Sequence, residues 1–218
     1  RPAMLIFPGG GYWFCSDREA ERIALGDMAK GYNGFVLRYY LKKESEFPKA
    51  MLAAEEEIWL IRDNHKEYNI DPAKVAVLGF SAGGHLAAAL GTMGTNKPNA
   101  LLLGYPCILE DDDKDWTYPI PGLHTVVDEQ TPESFVFHTY EDDAVPVANA
   151  IEFVKALNDK KIPVEFHLFK TGVHGLSLGN HLVSNGSRTM IDENYEHWFE
   201  LSVRWLDNIF RSFISEDN

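Results

Sequence analysis

The sequence is short of the residues that would mark several classes of protein. Its 218 residues include only two cysteines, Cys15 and Cys107, which lie far apart and form no Cys-x-x-Cys pair. Neither a disulfide framework nor a zinc site is therefore indicated. No basic run is longer than two residues, and the formal net charge is −13. Because contacts to phosphate need clustered Lys and Arg, we expect no nucleic-acid partner and instead a neutral or small one.

Long apolar runs are missing as well. No stretch approaches the roughly 20 apolar residues of a transmembrane helix, and none resembles a signal peptide. We therefore expect no membrane partner and a cytoplasmic location. The chain starts at Arg1 rather than at Met and runs directly into an apolar segment, which predicts further residues upstream.

What the sequence does contain is a regular alternation of strand-like and helix-like segments. Since 45% of the residues are hydrophobic, the chain can bury a substantial core, and we expect one domain over residues 1–218. Such alternation is typical of an α/β fold with a parallel sheet and helices on both faces. Residues 107–131 show no clear period and are predicted to form a loop or small lid. The predicted strands are 3–7, 35–40, 75–80, 100–105, 135–139 and 164–169, and the predicted helices are 17–31, 50–68, 82–93, 147–158 and 194–213.

One junction between a strand and a helix has the pattern of a nucleophile elbow. The apolar run 75–80 passes through Gly79-x-Ser81-x-Gly83 into an alanine-rich helical segment. In such an elbow the turn is so sharp that the serine hydroxyl projects alone, and larger side chains at 79 and 83 would collide. The motif is weak by itself, but its setting predicts Ser81 as a nucleophile.

Three other loops supply what acyl transfer requires. Ligands of parallel sheets bind beyond the carboxyl ends of the strands, so loops that follow different strands should meet. The N–H groups of the glycines in the loop Pro8-Gly9-Gly10-Gly11, together with that of Ala82, can hold an oxyanion, although a plain tight turn is the alternative for Gly9–Gly11. A later loop offers Asp142 and Asp143, and either carboxylate can orient an imidazole. His174, which lies between two glycines, is the candidate general base.

With these residues in this chain order, the sequence resembles the α/β-hydrolase superfamily. Pro-Gly-Gly-Gly-Tyr at 8–12, Ser-Asp-Arg-Glu-Ala-Glu at 16–21, Phe-Val-Leu-Arg-Tyr at 35–39 and Gly-Phe-Ser-Ala-Gly-Gly-His-Leu-Ala at 79–87 carry the resemblance. They are similar to the acetyl-esterase branch, the BD-FAE-like group often labelled acetyl xylan esterase or endo-1,4-β-xylanase B-like. The resemblance covers about residues 3–210.

The resemblance implies roles for particular residues. The group's Asp-x-x-Val-Pro pattern begins here at Asp142, which favours Asp142 over Asp143 as the acid of a Ser-His-Asp triad. It also implies Gly10 and Gly11 as the oxyanion donors, and an α/β-hydrolase fold that lacks its first strands. The implied activity is that of a serine carboxylesterase, which needs no metal or organic cofactor. The implied substrates are acetylated xylan-type sugars or other small carbohydrate esters.

Several points stay open at this stage. Tyr12 and Tyr105 are candidate pocket residues because acyl groups and sugars rest on aromatic faces, but core packing explains them equally well. His85 is expected to pack behind the elbow, and His138 to be an ordinary strand residue. An arylformamidase-like or peptidase-like hydrolase, and a binding protein that has lost the chemistry, are the alternative functions. Whether the chain forms a homo-oligomer is also left open.

Overall fold

A parallel sheet organises the computed structural model, which describes residues 1–41, 47–110 and 121–210. Within these residues the strands are β1 (Ala3–Phe7), β2 (Asn33–Val36), β3 (Val75–Phe80), β4 (Ala100–Gly104), β5 (Ser134–Thr139) and β6 (Val164–Phe169). Their spatial order is β2-β1-β3-β4-β5-β6, and every pair is parallel. All residues of β1, β3, β4 and β5 are buried, as expected for a parallel sheet covered on both faces.

Helices cover both faces and divide the apolar interior into two cores. They are α1 (Glu21–Ala29), α2 (Phe47–Asp63), α3 (His65–Tyr68), α4 (Ala82–Met93), α5 (Ala148–Asp159) and α6 (Trp198–Phe210). One core takes side chains from α2, α4 and α5, including Ile58, and the other takes side chains from α1 and α6, including Trp198. Neighbouring residues of a strand point to opposite faces, so Leu5 lies in the first core and Ile6 in the second. The predicted α/β architecture is therefore confirmed.

The second strand is shorter and earlier than predicted. The prediction was 35–40, whereas β2 spans Asn33–Val36 because its length is set by pairing with β1. The last backbone bond to β1 runs from the N–H of Leu37 to the carbonyl oxygen of Ile6, at 3.0 Å. Beyond it the chain leaves the sheet, and the Tyr39 hydroxyl donates to the carbonyl oxygen of Pro8 at 2.6 Å. The prediction for this strand was wrong at both ends.

Several helix boundaries also differ from the predictions, and residues 211–213 of the last predicted helix lie outside the described residues. The predicted helix 50–68 is interrupted after Asp63, where the side-chain amide of Asn64 donates to the carbonyl oxygen of Leu60 at 2.8 Å. Such local side-chain bonds compete with the helical ladder. The first and last predicted helices each begin with a 3₁₀ turn, at Asp17–Glu19 and Tyr195–His197, before the α-helix starts.

The segment predicted as a loop or small lid, 107–131, is described only in part, because residues 111–120 lie outside the described residues. On either side of the gap, Ile108 and Leu123 are buried, and the N–H of Leu123 donates to the carbonyl oxygen of Ile108 at 2.9 Å. A lid, and a single domain over 1–218, stay predictions. None of the described helices is long and apolar enough to cross a membrane.

Candidate active site

Ser81 sits on a strained turn between β3 and α4. Its backbone has φ 53° and ψ −118°, a conformation that costs a residue with a Cβ of the order of 1–3 kcal/mol and that concentrates at functional sites. The turn is possible because the residues two positions before and two positions after Ser81 are glycines. A Cβ on Gly79 would lie 2.2 Å from the carbonyl oxygen of Gly83, and one on Gly83 would lie 2.0 Å from that of Phe7. The elbow predicted from the motif is thus present, packed tightly against the end of β1.

His174 lies between Ser81 and a carboxylate. Its Nε2 is 2.9 Å from Ser81 Oγ, and its Nδ1 is 2.7 Å from Asp142 Oδ2. An ionised carboxylate can only accept hydrogen bonds, so Nδ1 carries the hydrogen and Nε2 is left to accept one. The loops after β3, β5 and β6 therefore bring the three predicted residues into one line of hydrogen bonds.

The carboxylate of Asp142 is firmly held. Its Oδ1 accepts the N–H groups of Ala144 and Val145 at 3.0 and 2.9 Å. Burial acts to raise the pKa of Asp142, but hydrogen bonds from His138, His174 and the Val145 N–H outweigh it and hold that pKa below its usual range. Asp142 is therefore ionised at neutral pH and presents a negative charge to the imidazole of His174.

Sequence reasoning missed one neighbour of Asp142 and left one competitor open. The competitor, Asp143, is exposed, and it is Asp142 that contacts His174. The missed neighbour is His138, which is fully buried on β5 with its Nε2 2.9 Å from the carbonyl oxygen of Val145 and 3.5 Å from Asp142 Oδ2. Because both partners are acceptors, His138 Nε2 carries a hydrogen. Nothing in the local sequence around His138 signals this contact.

The glycine loop after β1 presents free backbone donors beside the serine. Gly10 has φ +131°, and a Cβ there would lie 2.0 Å from the carbonyl oxygen of Phe14, so the loop needs glycine at this position. In the part of the chain that the structure describes, no acceptor is found for the N–H groups of Gly10, Gly11 or Ala82. These donors are available to a ligand, and their role as an oxyanion hole stays a prediction.

The two candidate pocket tyrosines point their hydroxyls at other groups. The Tyr12 hydroxyl donates to His85 Nδ1 at 2.9 Å, while His85 Nε2 is 3.3 Å from the carbonyl oxygen of Pro121. His85 is fully buried, as predicted, and burial lowers its pKa to about 3, so it is neutral. The Tyr105 hydroxyl donates to the buried carboxylate of Glu19 at 2.5 Å. Direct contact of either tyrosine with a substrate stays a prediction.

A pocket of about 470 Å³ opens over Ser81 and His174, within the usual size range of small-molecule sites. Its lining combines glycine, alanine and serine residues with larger side chains such as Phe14 and Arg18. Among the described residues, no group of three His, Cys, Asp or Glu side chains is arranged to hold a metal ion. The lining residues are Gly10, Gly11, Phe14, Ser16, Arg18, Glu19, Ser81, Ala144, Val145, His174 and Gly175.

The sheet and the serine elbow together define an α/β hydrolase, and comparison with known proteins gives the family. The family model described as BD-FAE matches residues 1–119, and that of the Prolyl oligopeptidase family matches residues 109–210. The solved structure of MGS-M1, an α/β hydrolase from a Medee basin deep-sea metagenome library, is 56% identical, with 97% of this chain and 85% of that chain covered and a TM-score of 0.92.

Two further relatives carry esterase names. An acetyl ester-xyloside bifunctional hydrolase from Caldicellulosiruptor lactoaceticus is 31% identical, with 98% of this chain and 84% of that chain covered and a TM-score of 0.81. The acetylxylan esterase of Xylanibacter ruminicola is 29% identical over 200 residues, which cover 81% of this chain and 41% of that protein. This chain spans only 33% to 41% of the length of its curated relatives.

The chain belongs to the α/β-hydrolase superfamily and, within it, to the BD-FAE family. It lies in an esterase branch of that superfamily, that is, among carboxylic ester hydrolases. The resemblance noted in the sequence is confirmed.

Proposed function

We propose that the chain is a serine carboxylesterase that removes short acyl groups, acetyl in particular, from carbohydrate esters such as acetylated xylo-oligosaccharides. One observation carries the proposal: His174 lies 2.9 Å from Ser81 Oγ and 2.7 Å from Asp142 Oδ2. A serine that is linked to a base, and a base that is linked to a carboxylate, form the arrangement that activates a hydroxyl for attack on a carbonyl carbon.

In the proposed acylation step, Ser81 Oγ attacks the ester carbonyl carbon while its proton passes to His174 Nε2. The imidazolium that forms is stabilised by the charge of Asp142. The new C–O bond pushes the carbonyl electrons onto oxygen. When the tetrahedral intermediate collapses, the bond to the alcohol oxygen breaks and His174 gives its proton to that oxygen. The alcohol leaves, and the acyl group stays on Ser81.

The proposed oxyanion donors are the N–H groups of Gly10, Gly11 and Ala82. Two come from the loop after β1 and the third from the first residue of α4, where a helix has N–H groups without intrahelical acceptors. Such donors stabilise the negative oxygen more strongly than the neutral carbonyl, and removing one typically costs about 100- to 1,000-fold in kcat. In deacylation, a water that loses its proton to His174 attacks the acyl carbon, and the same donors hold the oxyanion. The bond from the acyl carbon to Ser81 Oγ then breaks, His174 returns the proton to Oγ, and the free acid leaves.

Two features support a small acyl group on a carbohydrate. The pocket wall includes several glycine and alanine residues, among them Gly10, Ala144 and Gly175, and it has room for a substrate of modest size. Two of the relatives are named for acetyl esters of xylan or xyloside. Because the curated relatives are longer than this chain, the activity of any whole protein that contains it belongs to the same proposal.

A substrate panel tests the proposal. Purified protein is assayed on aryl acetate, butyrate and ferulate esters, an aryl formamide, and acetylated xylo-oligosaccharides. We expect the acetyl esters to have the highest kcat/KM and the acetylated sugar to be deacetylated. Ser81→Ala should lower turnover by several orders of magnitude. Full activity of Ser81→Ala would contradict the mechanism, and a preference for butyrate, ferulate or formamide would contradict the substrate class.

One alternative has an observation in its favour. Residues 109–210 match the Prolyl oligopeptidase family model, so a peptidase-like hydrolase with the same three residues is the second candidate. Chromogenic peptide amides separate the two, because an esterase should leave them intact at enzyme concentrations that consume aryl acetate. Failure of a fluorophosphonate probe to label Ser81 would instead favour a binding protein.

A further inference from the structure

The carboxylate of Glu19 is buried beside the candidate active site and has no part in the mechanism above. Glu19 is only 4% exposed, ends the 3₁₀ turn Asp17–Glu19, and lines the same pocket as Ser81 and His174. Burial raises the pKa of Glu19, and hydrogen bonds from Tyr105 and Gly9 oppose the rise. Burying a carboxylate is expensive unless it is well paired, so its partners indicate what it does.

Both oxygens of Glu19 accept hydrogen bonds from elements that carry the site. Oε2 accepts the N–H of Gly9, the residue before the candidate oxyanion donors, at 2.9 Å, and Oε1 accepts the Tyr105 hydroxyl at 2.5 Å. The Tyr105 hydroxyl in turn accepts the N–H of Ser177 at 3.0 Å. The ring of Tyr105 meets the imidazole of His174 edge-on, with 5.0 Å between ring centroids. A continuous buried chain thus runs from the glycine loop after β1 to the loop after β6.

We propose that Glu19 is a positioning residue that fixes the oxyanion loop relative to the loop of His174 and supplies a negative charge near the imidazole. The inference rests on the proposed function, because it assigns Glu19 a part in the same acyl transfer. The two loops are far apart in sequence and share no strand; the chain Glu19–Tyr105–Ser177 joins them, beside a second bond from Ser177 Oγ to the carbonyl oxygen of Arg18 at 2.6 Å.

The hydrogen-bond pattern favours the ionised form of Glu19. The N–H of Gly9 can only donate, and the Tyr105 hydroxyl already accepts from Ser177, so its own hydrogen points to Glu19. A protonated carboxyl group could bond to Tyr105 only if that hydroxyl turned its own hydrogen away from Glu19 and accepted a second hydrogen bond. The carboxylate therefore acts as an anion that two buried donors satisfy.

The charges around the imidazole make this anion relevant to the chemistry. On one side His174 contacts Asp142, which also meets His138. On the other side lie Glu19 and, near it, the guanidinium of Arg18, while the phenols of Tyr105 and Tyr195 are neutral. Glu19 interacts favourably with a protonated His174. It therefore stabilises the imidazolium that forms when the base takes the proton of Ser81.

Glu19→Gln tests the negative charge of Glu19, and Tyr105→Phe tests the hydrogen bond that links Glu19 to the loop of His174. The glutamine has nearly the same shape, but its NH₂ group cannot accept a hydrogen bond, so it replaces only one of the two acceptor oxygens. We expect kcat on an aryl acetate to fall about 10-fold or more, with KM little changed, since a misplaced oxyanion donor weakens the transition state more than the ground state. The acid limb of the pH profile of kcat/KM should move to lower pH, because the imidazolium loses an anionic neighbour. Tyr105→Phe should lower kcat but leave the acid limb in place, since Glu19 keeps its charge.

The matched control is Glu21→Gln, two residues along the chain. Glu21 is exposed and pairs with Arg38 at 2.9 and 3.0 Å, so this variant changes the same charge in the same segment without reaching the pocket. It should keep the wild-type kcat and pH profile. Melting curves of all variants, followed by circular dichroism, show which of them are folded.

The inference is overturned if folded Glu19→Gln has the kcat and the acid limb of Glu21→Gln, or if kcat falls while the acid limb stays in place. Should Glu19→Gln fail to fold, Tyr105→Phe is the deciding variant. An unchanged kcat in Tyr105→Phe would contradict the positioning role of the hydrogen bond between Glu19 and Tyr105. Ser81→Ala is assayed alongside. If it is inactive while Glu19→Gln is fully active, the proposed function stands and only this inference falls; if Ser81→Ala is active, the proposed function itself is wrong.

Discussion

Replacing Asp142 by asparagine should disable the base without disturbing the fold, and the local hydrogen bonds show why. Oδ1 of Asp142 accepts two backbone N–H groups, from Ala144 and Val145, at 3.0 and 2.9 Å. An asparagine must keep its oxygen at that position, because its amide group would otherwise face two donors. Its NH₂ group then takes the place of Oδ2, which lies 2.7 Å from His174 Nδ1.

This orientation forces the wrong tautomer on the histidine. The asparagine amide donates to His174 Nδ1, so the imidazole hydrogen moves to Nε2 and faces Ser81 Oγ. The base can then no longer accept the serine proton. In a serine protease the same exchange lowers kcat by about 10,000-fold, which corresponds to about 5 kcal/mol at 1.36 kcal/mol per tenfold change. We expect a loss of this order for Asp142→Asn.

The assay is steady-state hydrolysis of an aryl acetate, with Asp143→Asn as the matched control. Asp143 is the next residue and is exposed, so the control makes the same chemical change on the surface of the same loop. It should keep kcat within about twofold of the wild type. Thermal melts should show both variants folded. If Asp143→Asn lost the activity and Asp142→Asn kept it, or if both lost it equally while folded, the reasoning from the hydrogen bonds would be refuted.

Three further predictions concern stability. Gly83→Ala should lower the free energy of unfolding by about 3 kcal/mol or more, because its Cβ would lie 2.0 Å from the Phe7 carbonyl oxygen. Denaturant unfolding measures this loss, and an unfolding midpoint equal to that of the wild type would contradict the close approach. Tyr12→Phe leaves buried His85 Nδ1 without its donor and should cost about 1–3 kcal/mol by the same method; no change would mean that the bond is not formed. Burial raises the pKa of Asp27 from 3.8 to about 8, so the native state keeps a proton that the unfolded chain releases, and the stability falls as pH rises from about 4 to about 8. Asp27→Asn should therefore stabilise the protein more at pH 8 than at pH 5 in thermal melts, and an equal effect at both would contradict the shift.

Local patterns were enough to predict the architecture and the elbow. Apolar runs between turn residues located β1, β3 and β6 to the residue, because each of these strands is bounded by its own loop signals. Ser81 was found because a nucleophile elbow needs glycines on both sides of the serine, a constraint that lies within five consecutive residues. Where a feature is encoded in a short segment, the sequence is a sufficient guide to it.

Features that depend on distant partners were not predicted. The end of β2 is set by where β1 stops, and no residue between 35 and 40 carries that information. Asp142 and Asp143 look alike in sequence, and they differ because Asp142 is turned inward to accept two backbone N–H groups. The contact between Glu19 and Tyr105 joins residues 86 positions apart. Such pairs become visible only once the fold brings them together.

The central claim, that Ser81 becomes acylated during turnover, is tested most directly by rapid-quench mass spectrometry. Enzyme is mixed with excess aryl acetate, quenched within the first turnover and digested for peptide mapping. We expect a mass increase of one acetyl group on the peptide that contains Ser81, together with a burst of released phenol. Ser81→Ala should show neither the acetyl group nor the burst. An acetyl group on a different residue, or a burst that persists in Ser81→Ala, would contradict it.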